Sequence, residues 1–348
     1  MNRYKNTIIS KWYYQVVIWA VLCSCSINTT TADQILVQAG DMKLMMEKTD
    51  HGISILSLLD NITGKELLSS NTPPLFSLEL RHTKTKKYVI LEADSGWSQV
   101  DVSDVDATGQ RILTFHEPVD DNLKEISVEV ELLINNSDSA LIWDLRVTNN
   151  NEQWALWRII FPQIAVKHLG AGSSVFLPHT AGIERSDLWD IAERKGGTYP
   201  SGWTCMQYMA AYDAAGKTGL YVGMHDPLGS TKDIFAQGMP DKRAVSFRFE
   251  HPVPDMGRPG VDFELPGNAK WQLLRGDWFD AATIYRKWIS REAKWWPTLG
   301  PNGRMDTPEW MRELPVWLMT GGSASDCVPR VKAFAEELEV PVGYHWYN

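Results

Sequence analysis

The sequence predicts a mostly β protein: a large antiparallel sandwich, joined through a single helix to one βαβ unit. Three observations predict it. Residues 34–264 fall into short β-like runs divided by turn signals, residues 278–295 carry helical periodicity behind an acidic cap, and residues 314–347 read as strand, helix and strand.

The N-terminus comes first in the chain. Arg3, Lys5 and Lys11 precede an apolar stretch at 12–22, then small residues and Cys25. That is the layout of a secretory signal, too short for a stable membrane span. Leu22-Cys23-Ser24-Cys25 also resembles a bacterial lipobox, with Cys25 as the lipidated residue, although Cys23 is atypical at its position. A plain cleaved signal is the alternative. Both predict export, with the membrane reached only through a lipid anchor.

The sandwich is expected over 34–275. Runs at 35–38, 44–48, 52–60, 75–81, 88–92, 111–117, 126–134 and 140–149 have strand character, and a second set follows at 157–161, 175–177, 206–213, 219–226, 244–250 and 270–274. Alternation is clearest in Ser127-Val128-Glu129-Val130-Glu131-Leu132, where one face must be buried and the other solvated. More than one immunoglobulin-like module is needed for so many strands, which indicates two large sheets.

Asp277 is placed as the cap of the helix, with Asp280 three residues on and Trp278, Ala281, Ala282, Tyr285, Trp288 and Ile289 on one apolar face. Pro297 ends it. Gly300, Pro301, Gly303 and Pro308 then give linker chemistry, so 276–312 is read as connecting helix and linker.

Residues 314–320 form an apolar run without alternation, as for a parallel strand buried on both faces, closed by Gly321 and Gly322. Asp326 is placed as the next N-cap, with Pro329 in the first turn and Val328, Val331, Phe334, Ala335 and Leu338 at helical spacing. The helix must end before Pro341, and 343–347 resumes as a strand. A βαβ unit cannot close a sheet alone, so 313–348 reads as the truncated start of a larger α/β domain.

Composition narrows the function. At 348 residues, 44% hydrophobic and 22% charged, the chain has material for about two globular domains, and a net charge of −9 argues against nucleic-acid partners. Sixteen tryptophans are the outlier. Most are expected in the core, yet as a group they tilt the reading toward carbohydrate, because an indole face stacks on the C–H face of a sugar. Beyond the signal, Cys205 and Cys327 have neither disulfide nor metal-ligand spacing, and no metal or cofactor is predicted. Nucleotide loops, nucleophile elbows and zinc helices are missing from the sequence.

Residues 199–227 are the densest polar and aromatic stretch. His225 and Asp226 end an apolar run before Pro227, where Asp226 is suited to accept from sugar hydroxyls and His225 to donate; the alternative is that Asp226 caps the turn. Trp203 is either packed or ligand-facing. Trp317, His345 and Trp346 lie on the two strands of the βαβ unit, where strand ends carry function, although His345 also fits a core histidine. Glycoside hydrolysis needs two flanking carboxyl groups. Asp326, Glu336, Glu337 and Glu339 are the acids of 314–348, and they read as a cap and a solvated helix face, so no catalytic residue is assigned.

The run Gly276-Asp277-Trp278-Phe279-Asp280-Ala281-Ala282 through Trp288, before Leu314-Pro315-Val316-Trp317, resembles the sandwich-to-barrel connection of bacterial glycoside-hydrolase-like proteins. Residues 199–207, 219–227 and 343–348 resemble in particular a bacterial family of unknown function related to glycosidases. The resemblance implies a galactose-mutarotase-like supersandwich followed by a (β/α)8 barrel, here incomplete, with glycans as partners. It also implies that the catalytic carboxylates lie on later barrel strands, which would leave this chain inactive. A non-catalytic carbohydrate-binding lipoprotein is the main rival. A mutarotase-like epimerase is the weaker one, and would need a His and carboxylate pair in the sandwich, for which only His179 and Glu184 suggest themselves.

Overall fold

A computed structural model of the chain describes residues 33–301 and 303–347, so the signal segment and Cys25 lie outside the described residues. The expected antiparallel sheets are present. The largest has ten strands: Ile183–Arg185, Ser173–Leu177, Tyr208–Asp213, Thr218–His225, Asn268–Leu273, Ala140–Asn149, Ile126–Asn135, Gln110–Pro118 and Trp97–Val102 in spatial order, with Phe263–Glu264 also pairing to Ala140–Asn149. Six strands form the second sheet, in the order Arg194–Tyr199, Lys232–Met239, Ala244–Pro252, Trp154–Lys167, Ser77–His82 and Tyr88–Glu92. Asp33–Ala39, Met42–Thr49, Gly52–Asp60 and Lys65–Glu66 make a third.

Sequence alternation sets the register. Ile126–Asn135 and Ala140–Asn149 pair along ten residues, with Val128, Val130 and Leu132 opposite Val147, Leu145 and Trp143. All six are buried in a core cluster that draws on all three sheets. A one-residue slip would turn Glu129 and Glu131 into that core. At its centre the Trp143 and Trp271 rings meet edge to face, with centroids 5.1 Å apart.

Two strands of the second sheet escape a sequence reading, and each has a cause. Arg194–Tyr199 contains Gly196 and Gly197, which weaken strand propensity; at Gly196, with φ +139°, a Cβ would strike the Ile234 carbonyl oxygen. Lys232–Met239 begins with a lysine whose side chain is wholly buried, against the usual rule for that residue.

The helix spans Trp278–Glu292 with the expected capping box of Asp277 and Asp280, and stops three residues short of the predicted end, at the extended Ala293. Ala281, Tyr285, Trp288 and Ile289 are buried against Phe176, Tyr208 and Tyr221 of the ten-stranded sheet and Leu274 just after its Asn268–Leu273 strand. Trp278, placed on that face by periodicity, is instead 44% exposed.

In the βαβ unit, Val316–Gly321 and Val342–Tyr347 pair in parallel, connected by the Ala324–Leu338 helix. Its cap is Ser323 rather than Asp326. The Ser323 hydroxyl accepts from the Asp326 backbone and donates to the Asp326 carboxylate, so the helix starts earlier than predicted and Pro329 falls in its second turn. Burial on both strand faces is also corrected. Alternate residues of Val316–Gly321 are exposed, and the pair packs chiefly against this helix, where Cys327 is buried. Val328, Phe334 and Leu338, expected on the packed face, are exposed beside it.

Candidate functional site

One end of the sandwich is organised around the Lys232 ammonium. Lys232 opens its strand, Asp226 and Ser230 lie in the turn before it, and Gln207 precedes the Tyr208–Asp213 strand. The Lys232 Nζ donates to Gln207 Oε1 at 2.8 Å, to Asp226 Oδ2 at 2.9 Å and to the Ser230 carbonyl, and sits 4.9 Å from the centre of the Tyr199 ring. All three of its N–H donors are therefore used. Gln207 Nε2 donates to the Asp226 carbonyl, and the Gln207 backbone N–H donates to the Tyr285 hydroxyl, which ties the helix to the same point.

This arrangement corrects the reading of Asp226 as a sugar ligand. Its Oδ1 accepts from the Leu228 and Gly229 backbones and its Oδ2 from Ser230 and Lys232, and the residue is 0% exposed. No lone pair remains for a hydroxyl. Burial alone would raise its pKa, but the Lys232 charge and hydrogen bond, with the backbone donors, outweigh this and hold the carboxyl below its ordinary value.

Trp203 lies on the surface of the same end. The 178–182 and 199–206 segments are knitted together: the Thr180 backbone donates to the Trp203 carbonyl, and the Ser201 hydroxyl accepts from the Trp203 and Thr204 backbones. Trp203 is 68% exposed, with its ring stacked on His179 at 5.7 Å and 23°. Nearby, the Lys294 backbone donates to the Pro227 carbonyl, and a Cβ on Gly229 would lie 3.0 Å from Trp295 Nε1 and 3.3 Å from the Tyr199 hydroxyl. Trp295, Trp296 and Leu228 are all exposed here.

The tryptophans thus divide along the chain, against the expectation that most are core. Trp97, Trp143, Trp154, Trp189, Trp271 and Trp288 are buried, whereas every exposed one among the described residues lies at Trp203 or after Gly276. Composition counts them; only burial separates the packing indoles from those available to a ligand.

His225 is 7% exposed, stacked on Trp288 with centroids 4.6 Å apart, and its Nε2 is 3.0 Å from the Tyr221 hydroxyl. Burial, with a smaller push from Lys270, lowers its pKa to about 3, so the ring is neutral. Its edge reaches a cleft of about 320 Å³ between the helix and the sheet. His179 and Glu184 are not joined by a hydrogen bond or ion pair among the described residues. His179 backs Trp203, Glu184 is on an exposed edge strand, and the helix covers part of the sheet face between them and the cleft.

Nor do Trp317, His345 and Trp346 converge. Trp317 is the second residue of its strand, at the N-terminal rather than the C-terminal end, and its ring lies over Gly343. His345 pairs with Met319 and stacks on Tyr347 at 5.2 Å. Trp346, one residue on, points to the opposite face and donates from Nε1 to the Gly322 carbonyl at 2.8 Å. All three are exposed. Among the described residues, no group of three His, Cys, Asp or Glu side chains is placed to hold a metal ion.

Comparison with known proteins agrees with this architecture. Residues 263–348 match the family described as "Domain of unknown function (DUF6259)". The chain is 25% identical over 242 residues to the Monosiga brevicollis protein named "Putative glycoside hydrolase 22789", covering 64% of this chain and 20% of that protein. The chain therefore spans about a fifth of the length of this curated relative. Among solved structures, the ligand-free alpha-N-acetylgalactosaminidase NagBb from Bifidobacterium bifidum superposes with a TM-score of 0.56 at 12% identity, over 90% of this chain and 51% of that one, which shows a shared fold. The GH36 alpha-galactosidase AgaA from Geobacillus stearothermophilus gives a TM-score of 0.48 at 9% identity, over 90% and 50%. The chain is mostly β in fold.

Proposed function

We propose that this is an exported protein that acts on glycans, in which the sandwich end bearing Trp203 supplies sugar contact and the bond-breaking carboxylates are not among residues 314–347. The observation that carries the reading is the Trp203 indole, two-thirds exposed, backed by His179 and fixed by two hydrogen-bonded loops. An indole so held stacks on a sugar ring with little rotamer entropy left to lose. The similarity to a protein named as a glycoside hydrolase supports the substrate class. The acids of the βαβ unit support the second half: Asp326 is engaged by Ser323, and Glu336 is 3.6 Å from Lys332 on a solvated face.

Affinity electrophoresis of the chain through gels containing different polysaccharides, with a parallel assay for new reducing ends, tests this. Retardation by at least one polysaccharide, lost in Trp203→Ala at an unchanged melting temperature, is the expected result. A folded chain that no polysaccharide retards, or a Trp203→Ala variant that binds as well, would overturn it.

The rival reading is a binding lipoprotein without catalysis, favoured by the same exposed indole and by the engaged acids. It predicts retardation without reducing ends, and a detergent-phase protein that becomes aqueous in Cys25→Ala. Turnover by this chain would sink the rival.

A further inference from the structure

The cleft beside His225 has a chemistry that the packing of the sandwich does not explain. Its floor is the ten-stranded sheet, and in Asn268–Leu273 burial alternates strictly: Ala269, Trp271 and Leu273 enter the core, while Asn268, Lys270 and Gln272 face the other way and line the cleft. Side chains two apart on a strand are about 6.5 Å apart, so this is a row of hydrogen-bonding groups across roughly 13 Å. The opposite wall is the Trp278–Glu292 helix, with Lys287 and Arg291 one turn apart.

A sheet face covered by a helix is ordinarily apolar, and towards Tyr208 and Tyr221 it is. Here the polar groups are only partly spent. Lys270 is paired with Asp138 at 3.2 Å, and Glu292 accepts from Trp288 Nε1. Arg291 uses only its Nε, on the Lys287 carbonyl, and neither Arg291 nor Lys287 has a carboxylate partner among the described residues. The Gln272 Oε1 is buried without a hydrogen-bond partner. His225, held neutral, turns one ring nitrogen to Tyr221 and leaves Nδ1 without a partner among the described residues.

We propose that this cleft is a binding site for a sugar acid, a pyranose ring carrying one carboxylate. The two terminal nitrogens of Arg291 form a fork that matches a carboxylate in bidentate geometry, with Lys287 one turn away adding charge. Asn268, Gln272 and the His225 edge offer both donors and acceptors to ring hydroxyls. A volume of about 320 Å³ is at the small end of ligand pockets, suited to one sugar unit rather than a chain. The site shares no residue with the Trp203 platform and stands whether or not the protein hydrolyses glycosides.

Isothermal titration of the chain at low ionic strength with glucuronate, galacturonate, glucose and glucose 6-phosphate tests the proposal. The expected result is saturable millimolar or tighter binding of a uronate, with glucose at least about tenfold weaker. Arg291→Gln, a solvent-exposed change, should remove that preference, and Gln272→Leu should weaken the uronate while removing a buried unpaired oxygen, with no loss of folding. Trp203→Ala should leave uronate binding unchanged, which separates failure of this site from failure of the glycan reading. No uronate binding by folded protein, an Arg291→Gln variant that still prefers the acid, or binding of the phosphate ester alone would each overturn it.

Discussion

The Lys232 ammonium lies 2.9 Å from the Asp226 carboxylate with neither side chain exposed to solvent. The pair joins the 226–231 turn, Gln207 and the Lys232–Met239 strand beneath the surface that carries Trp203. Its role is to fix loops, since both members have used their hydrogen-bonding capacity.

Breaking this pair from one side is therefore expected to be costly. Lys232→Met leaves a carboxylate buried without its counter-charge and should lower stability by about 3–5 kcal/mol in urea denaturation. Lys232→Met with Asp226→Asn should cost less than Lys232→Met alone, because no net charge is then left buried. A double variant as unstable as the sum of its singles would show that the two groups do not act as a pair.

Acid should weaken the fold through two buried histidines. Burial lowers the pKa of His225 to about 3 and that of His251 to about 4, from an ordinary 6.5. Below pH 6.5 the unfolded chain takes up protons that the folded rings refuse. Stability is thus full above that value and falls by about 1.4 kcal/mol per pH unit for each group towards its folded pKa. His225→Gln should flatten the decline measured by urea melts between pH 6.5 and 4. An unchanged slope would mean that His225 titrates normally in the fold.

Asp144 should act in the opposite direction. Burial first, and then its cross-strand neighbour Glu131, raise its carboxyl to about 6. The folded state holds this proton above the unfolded pKa, so the associated stability is complete below about pH 4 and lost as pH rises through 6. Asp144→Asn should raise the melting temperature at pH 7.5 and leave it nearly unchanged at pH 4. Equal effects at both would remove the electrostatic cause.

Period-2 alternation in Ile126–Asn135 and Ala140–Asn149, and the Asp277 and Asp280 box before a helical stripe, were legible because each is local: the pattern is the burial. The parallel pairing of Val316–Gly321 with Val342–Tyr347 followed from strand–helix–strand order for the same reason. Lys232–Met239 was hidden because the burial of its lysine depends on Asp226 and Gln207, neither of which announces it in sequence.

Periodicity and composition carry the fold class, the strand-rich body, the capped helix and an aromatic content suited to sugars. Which groups are free to use it depends on long-range packing. Asp226 looked available and is saturated, Trp203 looked suited to packing and is open, and Trp317 and Trp346 face opposite sides of one strand pair. The physical reason is that a side chain's chemistry is written in its residue type, whereas its unspent hydrogen bonds and uncovered surface depend on partners distant in the chain.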